Sequence, residues 1–151
     1  LTPARIPGVP DVWIWRAPRL QVARIDPGDA ALLAHIDTVI CLQTQGELER
    51  LGEAERARAV GDQGWRWAHV PIPDFAAPTH TDLVQVQAAL QGPTLIHCRA
   101  GLGRSGSVAA ALLIEQGVPP HVAISQVRAA RPGAIESTEQ ERWLRGLRSG
   151  R

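Results

Sequence analysis

Short apolar runs of β character alternate with helical stretches along most of this 151-residue chain. That alternation constrains the fold more than any other feature. Strands separated by helical crossovers pair in parallel, and the crossovers cover the sheet. The β-like runs are Val12 to Trp15, Leu20 to Ala23, Thr38 to Leu42, Trp65 to Val70 and Thr94 to His97. Between them the pattern predicts helices over Pro27 to Ala34, over Glu47 to Val60 with a break near Gly52, and over Thr81 to Leu90. After the last strand it is wholly helical: Ser105 to Gln116, Pro119 to Ala130 and Ser137 to Leu147. Pro119-Pro120 marks one helix start, and Ser137 with Gln140 has the spacing of a capping box. We expect a single α/β domain with a central, mostly parallel five-stranded sheet flanked by helices, and an all-helical C-terminal third.

A chain of this length buries about two-thirds of its unfolded surface. With 44% hydrophobic residues it has the material for a core. No run approaches ~18 apolar residues, so no membrane span is expected. Leu1 to Pro10 has neither the basic nor the apolar part of an export signal. Two cysteines cannot build a disulfide framework and suit a reducing cytosol. A net charge of +1 argues against a nucleic-acid partner, because counterion release needs clustered positive charge. All sixteen basic residues are Arg, and Lys, Asn, Tyr and Met are absent. The missing residues have A/T-rich codons, which points to a GC-rich, bacterial genome. Without a Met, residue 1 is not a natural start, so a segment is expected to have preceded it.

The chemistry is carried by Thr94-Leu95-Ile96-His97-Cys98-Arg99-Ala100-Gly101-Leu102-Gly103-Arg104-Ser105-Gly106. An apolar strand ends at Cys98, and a loop with two glycines leads into an Ala/Leu-rich helix. Gly101 and Gly103 let the backbone curl so that the amides from Arg99 to Arg104 face inward, and the helix start adds its dipole. That is an anion cradle with a thiol at its base. Arg104, six residues after Cys98, can reach back and hold two phosphoryl oxygens with its planar fork. The same positive field favours the Cys98 thiolate, the form that attacks. The plain alternative is an inert core cysteine followed by a glycine turn, but that does not account for the glycines, the Arg and the helix start in register.

Cys98 to Ser105, preceded by His97, resembles the signature of the protein tyrosine phosphatase superfamily: His-Cys, five residues, then Arg and Ser or Thr. The wider pattern is that of the small dual-specificity phosphatases, nearest to the cyclin-dependent-kinase-associated phosphatase type. It is carried by Asp37 to Leu42 with Gly46-Glu47-Leu48, by Val70-Pro71-Ile72-Pro73-Asp74, and by Arg131-Pro132-Gly133-Ala134-Ile135-Glu136. The similarity covers about 37–147, within one phosphatase domain spanning 1–151. It implies the cysteine-based phosphatase fold and hydrolysis of a phosphomonoester through a phosphocysteine. In that scheme Cys98 is the nucleophile and Arg104 the phosphate ligand. Asp74, in a proline-framed loop, is the acid for the leaving group. Ser105 eases thiolate departure, and His97 orients the thiolate from behind. The connection from Asp74 to Cys98 is shorter than in most relatives, which leaves the reach of Asp74 to be tested.

At the pocket rim the resemblance places Arg131, Phe75 and Gln140. Arg131, with Arg99, would contact an acidic group beside the scissile phosphate. At the end of a helix Arg131 also suits the dipole, and Gln140 suits a cap. Trp13 with Trp15, and Trp65 with Trp67, are expected to pack in the core. His35, His69, His80 and His121 have no ligand spacing, so no metal site and no cofactor are expected. Cys41 ends a neighbouring strand and is read as a buried small hydrophobe that could reach Cys98 if oxidised. The expected substrate is a phosphorylated protein, acted on by a monomer in the cytoplasm. Alternatives are the same chemistry on a phosphoinositide, an RNA or nucleotide 5′-phosphate or a sugar phosphate, a phosphate-binding pseudoenzyme, or a rhodanese-like sulfurtransferase. Leu102, where a second cation would hold extra phosphates, disfavours a highly phosphorylated headgroup.

Overall fold

The computed structural model describes residues 4–5, 12–16 and 33–148. Five strands form one sheet: β1 (Ala4–Arg5), β2 (Val12–Arg16), β3 (Thr38–Cys41), β4 (Arg66–His69) and β5 (Thr94–Cys98). Their order is β1-β2-β5-β3-β4. The pairings β2·β5, β5·β3 and β3·β4 are parallel, and the two-residue β1 lies antiparallel on the edge. The expected parallel sheet is therefore present as four strands. The fifth strand is Ala4–Arg5, whereas Leu20 to Ala23 and most of Pro27 to Ala34 lie outside the described residues.

Side-chain period 2 sorts the strands into two layers. Trp13, Leu95, Val39 and Trp67 stand at one level across the sheet, and Ile14, Ile96, Ile40 and Ala68 stand at the next. The first set packs with Leu33, Ile36, Val60 and Trp65 on what we call the back face. The second set belongs to the larger front core, with Val108 to Ile114, Ile124, Val127 and Leu144. Three of the tryptophans are thus core residues, as expected, and the Trp15 side chain lies outside the described set. The same parity decides the cysteines. Cys41 pairs with His97, so it projects to the back, while Cys98 is in the front core. The two thiols sit on opposite faces of the sheet, which corrects the idea that Cys41 could reach Cys98.

Six helices complete the described residues: α1 (Gln45–Arg50), α2 (Arg56–Asp62), α3 (His80–Ala89), α4 (Gly103–Glu115), α5 (Pro120–Ala130) and α6 (Thr138–Gly146). The predicted break near Gly52 separates α1 from α2. Helix α4 is buried all round from Gly103 to Ile114, between the sheet and α3, α5 and α6. Small side chains at Ala109, Ala110 and Ala111 suit that close packing. Its start lies two residues before the predicted Ser105, with Leu102 as N-cap. Ser137 and Gln140 form the predicted capping box of α6. Among the described residues no helix is long and apolar enough to cross a membrane.

Candidate active site

The site forms where β5 runs out of the sheet and the chain turns into α4. Gly101 takes φ +72, a conformation L side chains rarely adopt, so the loop needs glycine there. Gly103 is required for a different reason. A Cβ on it would lie 2.6 Å from Glu136 Oε1 and 3.1 Å from Gln140 Nε2, so small size lets the start of α4 approach the start of α6.

The loop's carbonyls are tied from outside. Arg131 donates from Nε to Gly101 O (3.2 Å) and from Nη2 to Ala100 O (3.2 Å). Leu102 O accepts from Gly106 N at 2.9 Å and Ile135 N at 3.2 Å. Among the described residues the backbone amides from Ala100 to Ser105 have no hydrogen-bond partner. A run of donors whose carbonyls are held outward is the backbone form of an anion site. Arg131 was expected at the rim; it is 6% exposed and lies under the loop as a strut. Its backbone N–H caps α5 by donating to Val127 O at 2.8 Å.

Arg104 is 1% exposed, and the structure accounts for its position. Its Nη1 donates to Glu47 Oε2 at 2.6 Å and to Ile72 O at 2.9 Å, and its Nη2 donates to Glu47 Oε1 at 2.9 Å. Asp74 Oδ1 lies 3.5 Å from Nη2. Buried Nε has no partner among the described residues, and neither does buried Ser105 Oγ. Burial works against the guanidinium's charge, but Glu47, Cys98 and Asp74 together raise its pKa above the ordinary value.

Glu47 is the functional residue that sequence reasoning missed. Burial pushes its carboxyl up, but the Arg104 guanidinium and the Thr44 amide and hydroxyl outweigh it and hold the pKa below the usual carboxylate range. Thr44 and Glu47 form the capping box of α1, with Thr44 N donating to Glu47 Oε2 at 2.7 Å. The Thr-x-x-Glu spacing was the available signal, but it announces a cap rather than a partner 57 residues away.

Asp74 reaches the site despite the short connection to Cys98. Its loop is fastened to the sheet by Ile72 N→Leu42 O (3.0 Å) and to the start of α6 at two points. Ser137 Oγ donates to Phe75 O at 2.6 Å, and Gln140 Nε2 donates to Ala76 O at 3.2 Å. Phe75 has φ +63 and is 57% exposed beside Asp74. Gln140 is fully buried rather than at the rim. Its Oε1 accepts from Glu136 N and Ser137 N while its nitrogen holds the acid loop.

Behind Cys98, on the back face, His97 is buried with Nδ1 3.4 Å from Cys98 O. A carbonyl only accepts, so the proton sits on Nδ1. Burial lowers its pKa to about 3, so the ring is neutral around pH 7. Trp67 lies between His97 and His69, with ring centroids 6.4 and 6.0 Å away. Burial also raises the Cys41 thiol to about 11.

Comparison with known proteins agrees with this geometry. Residues 24–144 match the family described as Swiss Army Knife protein, DSP-PTPase phosphatase domain. Cyclin-dependent kinase inhibitor 3 of Sus scrofa is 34% identical over 122 residues, covering 75% of this chain and 58% of the relative. The chain therefore spans little more than half the length of that relative. The solved structure of Tk-PTP in its active form superposes with a TM-score of 0.72 at 31% identity, covering 95% of this chain and 96% of the other. Kinase associated phosphatase (KAP), with serine in place of its catalytic-site cysteine, gives a TM-score of 0.75 at 26% identity, covering 88% of this chain and 83% of the other. The strand ending at Cys98, the two-glycine loop and the buried Arg104 thus sit in a familiar frame, and the chain belongs to the dual-specificity type of the protein tyrosine phosphatase domain family.

Proposed function

We propose that the protein hydrolyses phosphomonoesters on phosphorylated proteins, as a tyrosine or dual-specificity phosphatase working through a phosphocysteine. The observation that carries this reading is Cys98 at the base of a loop whose amides from Ala100 to Ser105 have no partner among the described residues, with Arg104 fixed beside it and Asp74 3.5 Å from that guanidinium.

In the first step Cys98 Sγ forms the S–P bond as the ester P–O bond breaks. Asp74 gives its proton to the departing oxygen. The charge on the equatorial oxygens is met by the loop amides and Arg104, preorganised donors that need no rearrangement. Because Nη1 and Nη2 are held by Glu47, Nε remains as an uncommitted donor of Arg104. In the second step water attacks phosphorus, Asp74 takes its proton, and the P–S bond breaks. Ser105 Oγ, buried and unpartnered among the described residues, hydrogen-bonds the sulfur as it regains charge. His97 donates to the Cys98 carbonyl and keeps a neutral ring behind the nucleophile. The positive charge that transfer requires is supplied by the chain itself, so the reading includes neither metal nor cofactor. It includes a cytosolic setting, a bacterial source, a monomeric working form and one phosphatase domain over 1–151.

The test is a side-by-side panel of phosphotyrosine and phosphothreonine peptides, phosphoinositides and nucleotides, with and without EDTA. Turnover of the peptides unaffected by chelator is the expected result. A strong preference for a phosphoinositide or an RNA end would overturn the protein-phosphatase reading. Absence of all turnover would identify a phosphate-binding pseudoenzyme.

A further inference from the structure

Next to the cysteine loop, between α1 and the acid loop, opens a cavity of about 280 Å³. Glu47 and Asp74, the two carboxylates on Arg104, line it together with Arg50 and Arg99. Both arginines are exposed, and among the described residues neither makes an ion pair or side-chain hydrogen bond. Leu51, 38% exposed, and Pro73 add an apolar wall. Glu47 is neutralised by Arg104, and Arg50 and Arg99 bring two guanidinium groups without a side-chain partner among the described residues to the cavity.

We propose that this cavity is a specificity subsite for an acidic side chain of a phosphopeptide, held by Arg50 and Arg99 beside the scissile phosphate. The proposal rests on the phosphatase reading and names the substrate class that the site prefers. Two guanidinium groups suit one carboxylate, and Leu51 with Pro73 suits the methylene stem of a Glu. Sequence reasoning gave this task to Arg99 and Arg131. Arg131 is committed to the loop carbonyls, and Arg50 on α1 takes its place. The competing role for Arg50 is a cation in the last turn of α1, favourable to that helix's dipole and indifferent to peptide sequence.

The experiment measures binding of phosphotyrosine peptides to the full chain carrying Cys98→Ser, so that affinity is read without turnover. Peptides with Glu beside the phosphotyrosine are compared with Gln and Lys twins at two ionic strengths. Two exposed ion pairs predict about five-fold tighter binding of the Glu peptide at low salt, shrinking as salt is added. Adding Arg50→Gln should bring the ratio toward one, and Arg50→Glu should move the preference to the Lys peptide. A purely structural Arg50 would produce no such reversal. Equal binding of Glu and Gln peptides, or a Glu preference that survives Arg50→Gln, overturns the subsite. So does an inositol bisphosphate that binds more tightly than the Glu peptide and loses its advantage in Arg50→Gln. Failure of the parent reading shows separately, as an absence of turnover by the chain with Cys98 intact.

Discussion

His97 and Cys98 are neighbours in sequence and occupy different chemical worlds. On the front face Cys98 faces Arg104, which is fixed by Glu47 and approached by Asp74. On the back face His97 shares a desolvated layer with Cys41, His69 and Trp67, where its pKa falls to about 3 and that of Cys41 rises to about 11. Burial is high on both sides, so burial is not what separates them. The front sets compensating charges against one another, whereas on the back burial keeps His97 unprotonated and the Cys41 thiol protonated near the buried Arg56. One step along a pleated strand moves a side chain from one regime to the other.

Substitution tests this contrast most severely at the two cysteines. Cys98→Ser should leave under about 1% of wild-type kcat while retaining phosphate or tungstate binding, because a hydroxyl is nearly isosteric but a far poorer nucleophile. Cys41→Ala, on the other face, should leave kcat within about twofold and cost stability only by a small cavity. Steady-state kinetics with calorimetric phosphate binding on both variants checks this, and comparable loss of kcat would remove the distinction between the faces.

Asp74→Asn should lower kcat by about 10² to 10⁴ on poor leaving groups and abolish the high-pH limb of the rate profile. Activated aryl phosphates should lose less. A Brønsted series across leaving groups makes the measurement, and a uniform loss would move the acid's role elsewhere.

Glu47→Gln keeps the shape of the Arg104 contact and removes its charge, leaving a buried guanidinium poorly compensated. We expect about 3 kcal/mol of destabilisation at pH 7 and roughly ten-fold lower kcat/KM. The sign with pH follows from the lowered Glu47 pKa. The stabilisation is fully present above the unfolded value of about 4.3 and fades as pH drops through the depressed folded value. Denaturant melts of both forms should therefore converge as pH falls below about 4; a constant gap would mean that the pair is not ionic.

The remaining test lies on the back face. Folded His97 resists protonation, so wild-type stability should fall as pH drops from about 6.5 toward about 3. Its contribution to that slope approaches about 1.4 kcal/mol per pH unit. His97→Asn should flatten the slope in this window, measured by urea melts at half-unit pH steps.

How well the sequence foretold this contrast depended on distance along the chain. The strands from Thr38, Trp65 and Thr94, the start of α6 and the cysteine loop are local patterns, and periodicity or spacing reveals them. The partner of Arg104 is not local. Glu47 already had a complete local explanation as a capping residue, and nothing in Thr44 to Glu47 indicates that the same carboxylate faces a guanidinium across the domain. Arg131 failed for the same reason: a cation closing a helix looks alike in sequence whether it points to solvent or folds under a loop. The helix start at Gly103 was missed because the glycines were assigned wholly to the loop, although only Gly101 has positive φ there.

Gln140 divides one side-chain amide between two segments: its oxygen accepts from Glu136 N and Ser137 N at the entry to α6, and its nitrogen donates to Ala76 O in the Asp74 loop. Fraying of that first turn and release of the acid loop are therefore a single opening event. In native-state hydrogen exchange the amides of Ala76 and Gln140 should report one common opening free energy, below that of β5 and the middle of α4. The molecule would then release the Asp74 loop before the Cys98 loop, and in the proposed mechanism a partly opened population would retain the anion cradle while being unable to complete turnover.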